Sequence, residues 1–452
     1  MWPVIENGAR CSRSKRRQLP TVKGLSRYVI GRRYVDGARV AYKTSADVIS
    51  KTVTLVVTVA AARALPANEF GVLALAMTTG WILGVASDAG LPMYLATRIA
   101  QANAVRAPTY QLVRAAMRWR WRFGGAAMIA GVGVGAVLLP SGALPAFTLV
   151  VAHQLFGAML ETLAHAYRGL GRTDIESAIS IGHRGAIALG ALTVLAVHPS
   201  LLWLGGALAV PPMVALAISQ RMARRLMEGV ASASLVDAGS SPSLAGALHG
   251  SPEGLSFTSS TFARDVLPLG LGVLLSALYF RCDVYFLDRL HGVETVGIYN
   301  AAFRIVDALR LFPAAVLAVA YPALCAATDF RPLRKLSSGL VIASVMVAAA
   351  IFVAAHPLLA LVYGGAYAAG GDALQMLSLC IPFFYVNYAL THQLLAWDGQ
   401  RAYVAIAAGA LLANLAGNAL LIPGGAMVGA ATSTLTTEVV VCAGCLAALR
   451  KR

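Results

Sequence analysis

Charge is scarce in this sequence, and acid is scarcer still. Only 13% of the 452 residues are charged, and 20 of them are Asp or Glu. Soluble chains carry about 25% charged residues, so an ordinary soluble protein is excluded. Cysteine is sparse too. Cys282, Cys325, Cys380, Cys442 and Cys445 lie in apolar stretches, and Cys11 lies near the start. Cys442 and Cys445 form a Cys-x-x-Cys with no other Cys or His nearby. A structural zinc site needs about four ligands, so the pair reads as small core residues. Enzyme signatures are missing: there is no Walker A loop, His-Glu-x-x-His, Gly-x-Ser-x-Gly or carboxylate cluster beside a basic loop. The histidines are scattered, and His165 and His183 read as core residues rather than ligands. No catalysis and no cofactor is expected. Without an ATP site, transport would draw on an ion gradient, the membrane potential or the substrate's own gradient.

Long apolar runs are what the chain has in abundance. It is 58% hydrophobic with mean hydropathy +0.69. Apolar segments fall at roughly 46–63, 70–91, 123–140, 143–165, 176–197, 199–220, 266–288, 295–321, 336–355, 373–396, 402–422 and 425–448. Runs of about 20 apolar residues predict membrane-spanning helices, here twelve. A Ser/Gly/Pro/Ala-rich tract at 221–264 cannot build a core and reads as a flexible cytoplasmic linker. The expected organisation is a basic arm at 1–44, a six-helix half at 45–220, the linker at 221–264, and a second six-helix half at 265–452.

The net charge of +17 sits at the ends and in short loops, which marks topology rather than a nucleic-acid surface. Arg98, Arg106, Arg114, Arg118, Arg120 and Arg122 follow the second segment. Arg168 and Arg172, then Arg221, Arg224 and Arg225, then Arg331, Arg334 and Lys335, then Arg401, follow later even-numbered segments. The intervening loops PSGA (140–143) and PGGA (423–426) carry no charge. The positive-inside rule therefore places both termini in the cytoplasm. The basic residues of 1–44 are accompanied by little apolar sequence and no signal-peptide core. They fit either an arm beside anionic lipid or a start assigned too far upstream. FGVLALAM (70–77) and VGIYNAAF (296–303) open equivalent helices of the two halves, GRTDIESAIS (171–180) pairs with GQRAYVAIAA (399–408), and VHP (197–199) with LIP (421–423). The near-constant offset points to internal duplication, with a site between the halves.

Residues 281–322 are apolar enough to span a bilayer, yet they hold Arg281, Asp283, Asp288, Arg289, Arg304, Asp307 and Arg310. A charge at membrane depth costs roughly 2.5–3.5 kcal/mol and persists where it faces a bundle interior or watery cavity. Gly297, Asn300, Arg304 and Asp307 share one helix face, as a pathway lining would. Further polar stripes run through Gln154, Glu161, His165 and Arg168; Ser177, Ser180 and Arg184; Asn387, Thr391 and Asp398; Asn414 and Asn418; and Thr434 and Glu438. Hydroxyl and amide members of these stripes read most simply as glue between helices, worth about 0.6 kcal/mol each. The in-span ions Lys51, Arg184, Arg281 and Arg304 read as cavity-facing. Arg63, Arg168, Asp288 and Arg289, near segment ends, read as snorkelling or solvated.

These residues carry a resemblance. Ala62-Arg63-Ala64-Leu65, Phe70-Gly71, Asp88-Ala89-Gly90-Leu91 and Arg98 are similar to the opening of the polysaccharide-biosynthesis, Wzx-like oligosaccharide flippases of the MOP exporter superfamily. Pro66 departs from that pattern, standing where a Gly usually follows the Leu. The likeness continues through Arg281-x-Asp283, Val296-Gly297-x-Tyr299, Ala301-Ala302-x-Arg304, Pro313 with Pro322, and residues 414–438, and covers about 45–448. It implies an all-α integral membrane fold of twelve helices, in two pseudo-symmetric six-helix lobes around a central cavity. The substrate it implies is a polyprenyl-diphosphate-linked oligosaccharide, flipped between inner-membrane leaflets by alternating access. Lys51, Arg184, Arg281 and Arg304 would bind the diphosphate, since Arg forks suit phosphate. Asp88, Glu161, Asp283 and Asp307 would position those cations or couple to a proton or sodium gradient. A polymerase and export components would be its partners. Rival readings are a cation-coupled drug exporter of the same superfamily, which an excess of in-span Arg disfavours, and a lipid II flippase, whose group resembles fourteen helices rather than twelve. A membrane glycosyltransferase would show larger outer loops than these.

Overall fold

The computed structural model describes residues 37–104, 109–239, 267–310, 312, 313, 316, 331–397 and 399–450. The arm at 1–36, the stretch 240–266 and Asp398 therefore lie outside the described residues. Every regular element among the described residues is helical. The first half comprises α1 (Gly37–Ala64), α2 (Ala67–Asp88), α3 (Leu91–Ala104), α4 (Tyr110–Leu138), α5 (Leu144–Gly169), α6 (Thr173–Val197) and α7 (Leu201–Gly239). The second comprises α8 (Leu267–Arg281), α9 (Asp283–His291), α10 (Val293–Leu309), α11 (Arg331–Tyr363), α12 (Gly371–Ser378), α13 (Ile381–Ala396) and α14 (Gln400–Arg450).

Among the described residues, eight helices are long and apolar enough to cross a membrane, or nine if the bent pair around Leu379 and Cys380 is one span. That pair, expected as one helix at 373–396, bends by 44°. Pro382 supplies the reason: its ring clashes with the carbonyl four residues back, at Ser378, where α12 ends. The 51-residue α14 is likewise two rods, because Ala426 is non-helical (φ 43°, ψ −124°) beside Pro423. A straight helix of that length would run about 76 Å, over twice the ~30 Å hydrocarbon core. Instead the chain folds back. A Cβ on Gly417 would lie 2.5 Å from Ser433 Oγ, and one on Gly429 would lie 2.2 Å from Leu421 O, so the two arms pack antiparallel.

Burial sorts the helices. From Phe70 to Ala76, α2 is buried on every side, as expected of a helix apolar all round at the centre of a bundle. In contrast α6 and α11 turn Val197 (80% exposed) and Val353 (83% exposed) outward, as lipid-facing helices would. The extent of α7 also bears on the expected linker: the helix runs on to Gly239, so residues 221–239 are helical. The expected basic loop after α2 is largely helical too. Arg114, Arg118 and Arg122 on α4 are exposed, whereas Arg120 is fully buried.

The two halves meet along α2. Near its start, a Cβ on Gly71 would lie 1.9 Å from Val293 O, and one on Gly297 would lie 2.9 Å from Ala67 O. These glycines occupy equivalent places in the two repeated segments, and lacking side chains they let the α2 and α10 backbones touch. Midway, Thr79 Oγ1 lies 2.9 Å from Tyr285 OH. Beyond the end of α2, a Cβ on Gly270 would lie 2.5 Å from Ala89 O. The α2 rod is thus the seam on which the second half is mounted.

Candidate functional site

The seam carries a buried cation. Arg281, the last residue of α8, is 6% exposed. Its Nη2 donates to Asn300 Oδ1 on α10 at 2.8 Å and to Thr78 Oγ1 on α2 at 3.1 Å. The guanidinium also stacks 4.3 Å from the Phe303 ring centroid. All three partners are uncharged, so the positive charge is solvated by the protein but not neutralised by these contacts. The neighbouring Asp283 is 1% exposed and accepts from Tyr299 OH at 2.6 Å. It acts on Arg281 electrostatically without an ion pair between them among the described contacts.

Arg304 lies one turn beyond Asn300 and is half-buried. Its electrostatic neighbours are Asp307, Arg281 and Tyr363. Of the described residues, none makes a hydrogen bond or ion pair to it. Asp307 is engaged elsewhere: Arg310 Nη1 lies 3.7 Å from its Oδ1. Arg310 in turn lies over the rings of Phe280 (4.0 Å) and Phe384 (4.9 Å). Three arginines, Arg281, Arg304 and Arg310, therefore gather here, with Asp283 an electrostatic neighbour of Arg281, Asp307 of Arg304 and Glu438 of Arg310.

The stripe expected to line a pathway therefore divides. Gly297 and Asn300 are buried contacts between helices, made so because α2 approaches where Gly297 has no side chain. Arg304 and Asp307 remain half-buried.

The other expected cations sit on the first half. Arg184 Nη1 on α6 donates to Thr54 Oγ1 on α1 at 3.1 Å, and Ser180 meets Ser50 at 3.2 Å one turn away. Arg184 Nε is buried with no hydrogen-bond partner among the described residues. Lys51 lies half-buried in the same turn of α1 as Thr54. The structure thus brings Lys51 and Arg184 to one seam and Arg281 and Arg304 to another.

Of the two first-half acids, Glu161 is an electrostatic neighbour of both Arg184 and Asp88. Asp88 closes α2 over the N–H groups of Gly90 and Leu91, with Arg120 its nearest opposite charge and Glu161 a further electrostatic neighbour. Arg120, with no exposed surface, donates from Nη1 to Ser87 Oγ at 3.1 Å. Nothing in a run of six arginines singled it out, because only the register of α4 turns it inward. Glu161 is 55% exposed and accepts from Arg168 Nη2 at 2.7 Å. The same Nη2 lies 2.7 Å from Glu176 Oε1, and Arg168 Nη1 lies 3.2 Å from His165 Nε2. Arg168 is therefore not a snorkelling end residue. It is held between two carboxylates, which ties α5 to α6.

The amide stripes of the second half pack as helix glue. Asn414 Nδ2 donates to Thr437 Oγ1 (2.9 Å), Asn418 Nδ2 to Asn414 Oδ1 (2.8 Å), and Asn387 Nδ2 to Glu438 Oε2 (2.7 Å). Among the described residues no group of three or more His, Cys, Asp or Glu side chains could hold a metal ion, and Cys282, Cys380, Cys442 and Cys445 are free thiols.

Taken together, a bundle of apolar spans and two halves joined along one rod, with Arg281 buried where they meet, define a multi-pass helical membrane protein. Solved structures share the fold. An inward-facing multidrug resistance MATE transporter of the MOP superfamily matches with TM-score 0.66 at 13% identity, covering 89% of this chain and 94% of that one. The lipid II flippase MurJ in an inward closed conformation gives 0.59 at 11% identity, covering 90% and 87%. A MOP superfamily transporter from Pyrococcus furiosus gives 0.56 at 13%, covering 91% and 94%. No curated protein matches the chain by sequence. The family model for polysaccharide biosynthesis proteins matches residues 37–327, well over half of the chain, and the chain belongs to that family.

Proposed function

We propose that this protein flips a polyprenyl-diphosphate-linked oligosaccharide from the cytoplasmic to the periplasmic leaflet of the inner membrane, for assembly of a surface polysaccharide. Arg304 carries the reading. It is an arginine at span depth with no hydrogen-bonding or ion-pairing partner among the described residues, beside a second cation, while its adjacent acid is engaged by Arg310. Such a charge is costly in a membrane unless an anion or water meets it, and a diphosphate answers that need with several acceptor oxygens. Arg304, Lys51 and Arg184 contact the substrate in this scheme. Arg281, already bonded to Thr78 and Asn300, holds the local field positive, and Asp283 and Asp307 set the orientation of the cations.

The twelve crossings of the proposed topology arise when α1 and α10 each count as a span and α14 as two. Six then form each lobe, and both termini are cytoplasmic by the positive-inside rule. Alternating access moves the charged headgroup between the lobes while the lipid tail stays in the bilayer. Asp88 and Glu161 are the first-half acids available for proton or sodium coupling. A polymerase and export components would take the product.

Gene deletion in the host tests this, with periplasm-restricted labelling of the lipid-linked sugar. Cytoplasmic accumulation on deletion, restored by the wild-type gene, supports the flippase. Unchanged leaflet distribution with raised sensitivity to cationic dyes would instead identify a drug exporter.

A further inference from the structure

Arg63 lies in the last turn of α1, and its guanidinium crosses to the other half of the molecule. Its Nε donates to Val362 O at 2.8 Å, and its Nη2 donates to Leu361 O. Both carbonyls belong to the last turn of α11, where Gly364 at φ +112° stops the helix. The final carbonyls of a helix have no intrahelical partner and carry the negative end of its dipole. Arg63 caps them. The reverse contact is also present: Tyr367, on the turn after α11, donates its hydroxyl to Ala62 O in the last turn of α1, at 3.0 Å. The Tyr367 ring meets Phe70 of α2 edge-on at 5.7 Å. Two helix C-termini, one from each half, are thus capped by a side chain of the other.

We infer that Arg63 and Tyr367 form a reciprocal latch that holds the outer face closed and must release for the cavity to open outward. The inference rests on the alternating-access reading above, and on the orientation that places the C-terminus of α1 outside. Three features fit a contact built to break. Arg63 is exposed, so water can replace the carbonyls as they part. A guanidinium on two backbone carbonyls forms no ion pair, so release leaves no buried charge behind. The latch also adjoins the cation site: Tyr363, the last residue of α11, lies 5.7 Å from the Tyr367 ring and is an electrostatic neighbour of Arg304. Glycine contacts between α2 and α10 lie at the same end of the molecule.

Spin-label distances test the latch in the full-length protein in liposomes. Labels go on Asn68→Cys and Ala366→Cys, with the native cysteines replaced by alanine; both positions are exposed, one on each half. Combining Arg63→Ala with Tyr367→Phe should raise the ratio of long to short separations about tenfold, equal to about 1.4 kcal/mol. Each single variant should give an intermediate shift. If Arg63→Ala does not accumulate, Arg63→Lys with Tyr367→Phe carries the test, because lysine cannot span both carbonyls with a planar fork. Separations that stay at the parent distribution in the double variant overturn the latch. A lower melting temperature with unchanged separations does so too, and makes the contacts purely structural. These distances do not depend on substrate, so failure of the flipping assay would remove the substrate reading and leave this result standing.

Discussion

Replacing Asn300 by alanine tests the central packing of the site, because Asn300 supplies the shortest contact to Arg281. The side chain is 2% exposed, and its Oδ1 accepts from the guanidinium at 2.8 Å. A hydrogen bond to a charged group contributes roughly 1.5–3 kcal/mol. The Thr78 hydroxyl and the Phe303 ring remain, and the ring is worth about 0.5–2 kcal/mol to a desolvated cation. The net loss should therefore fall at about 2 kcal/mol, seen as a drop of several degrees in apparent Tm in detergent. Introducing the change into an Arg281→Met background isolates the interaction. With no guanidinium to satisfy, Asn300→Ala should then cost much less, giving a coupling of roughly 1–2 kcal/mol. Asn300→Asp gives the complementary result. It keeps the acceptor and adds a negative charge, so stability is retained while flipping falls as the site is neutralised. Additive effects of Arg281→Met and Asn300→Ala, or a loss within about 0.5 kcal/mol for Asn300→Ala alone, would refute the reasoning.

Other substitutions probe the frame around the site. Gly71→Ala puts a methyl 1.9 Å from Val293 O, so α2 and α10 must separate. A loss of about 1–3 kcal/mol or more is expected by thermal unfolding. Gly182→Ala, on α6 with nothing within 4 Å of the new methyl, serves as the neutral or slightly stabilising control. Arg168→Gln withdraws the cation from Glu176, whose side chain is 3% exposed. Losing one member of a buried pair costs about 3–5 kcal/mol, so protein levels should collapse, with partial rescue by Glu176→Gln. Tyr299→Phe removes the hydroxyl from buried Asp283 and should lower Tm, and in an Asp283→Leu background, which has no acceptor, the same change should cost much less.

The spans were legible in the sequence because the bilayer dictates them: a run of about 20 apolar residues has few alternatives. The halves were legible from repeated segments, and Gly71 and Gly297, matched by that repeat, meet in space. What periodicity could not supply was the neighbour. A stripe tells which face a residue occupies, not which helix covers it. Asn300 and Arg304 share a stripe, yet one is buried against α8 and the other is half-open. Thr78, in a run of small apolar residues, carried no signal that it would meet Arg281 across more than 200 positions. Arg120 was read as part of a basic loop and Arg168 by its place near a segment end, and the register of α4 and the approach of α6 moved both inside. Arg63 is exposed near a segment end, as read, but its contacts were not legible for a related reason. Its partners are backbone carbonyls, which have no sequence signature at all.

Arg304 decides the central claim. Purified protein in liposomes, with a fluorescent polyprenyl-diphosphate oligosaccharide and an impermeant quencher, reports the rate of leaflet exchange. Arginine–phosphate hydrogen bonds of roughly 1.5–3 kcal/mol imply a fall of about tenfold or more for Arg304→Ala, with partial recovery in Arg304→Lys. Exchange by Arg304→Ala at the wild-type rate, at equal protein level, would contradict the assignment of this arginine to the diphosphate.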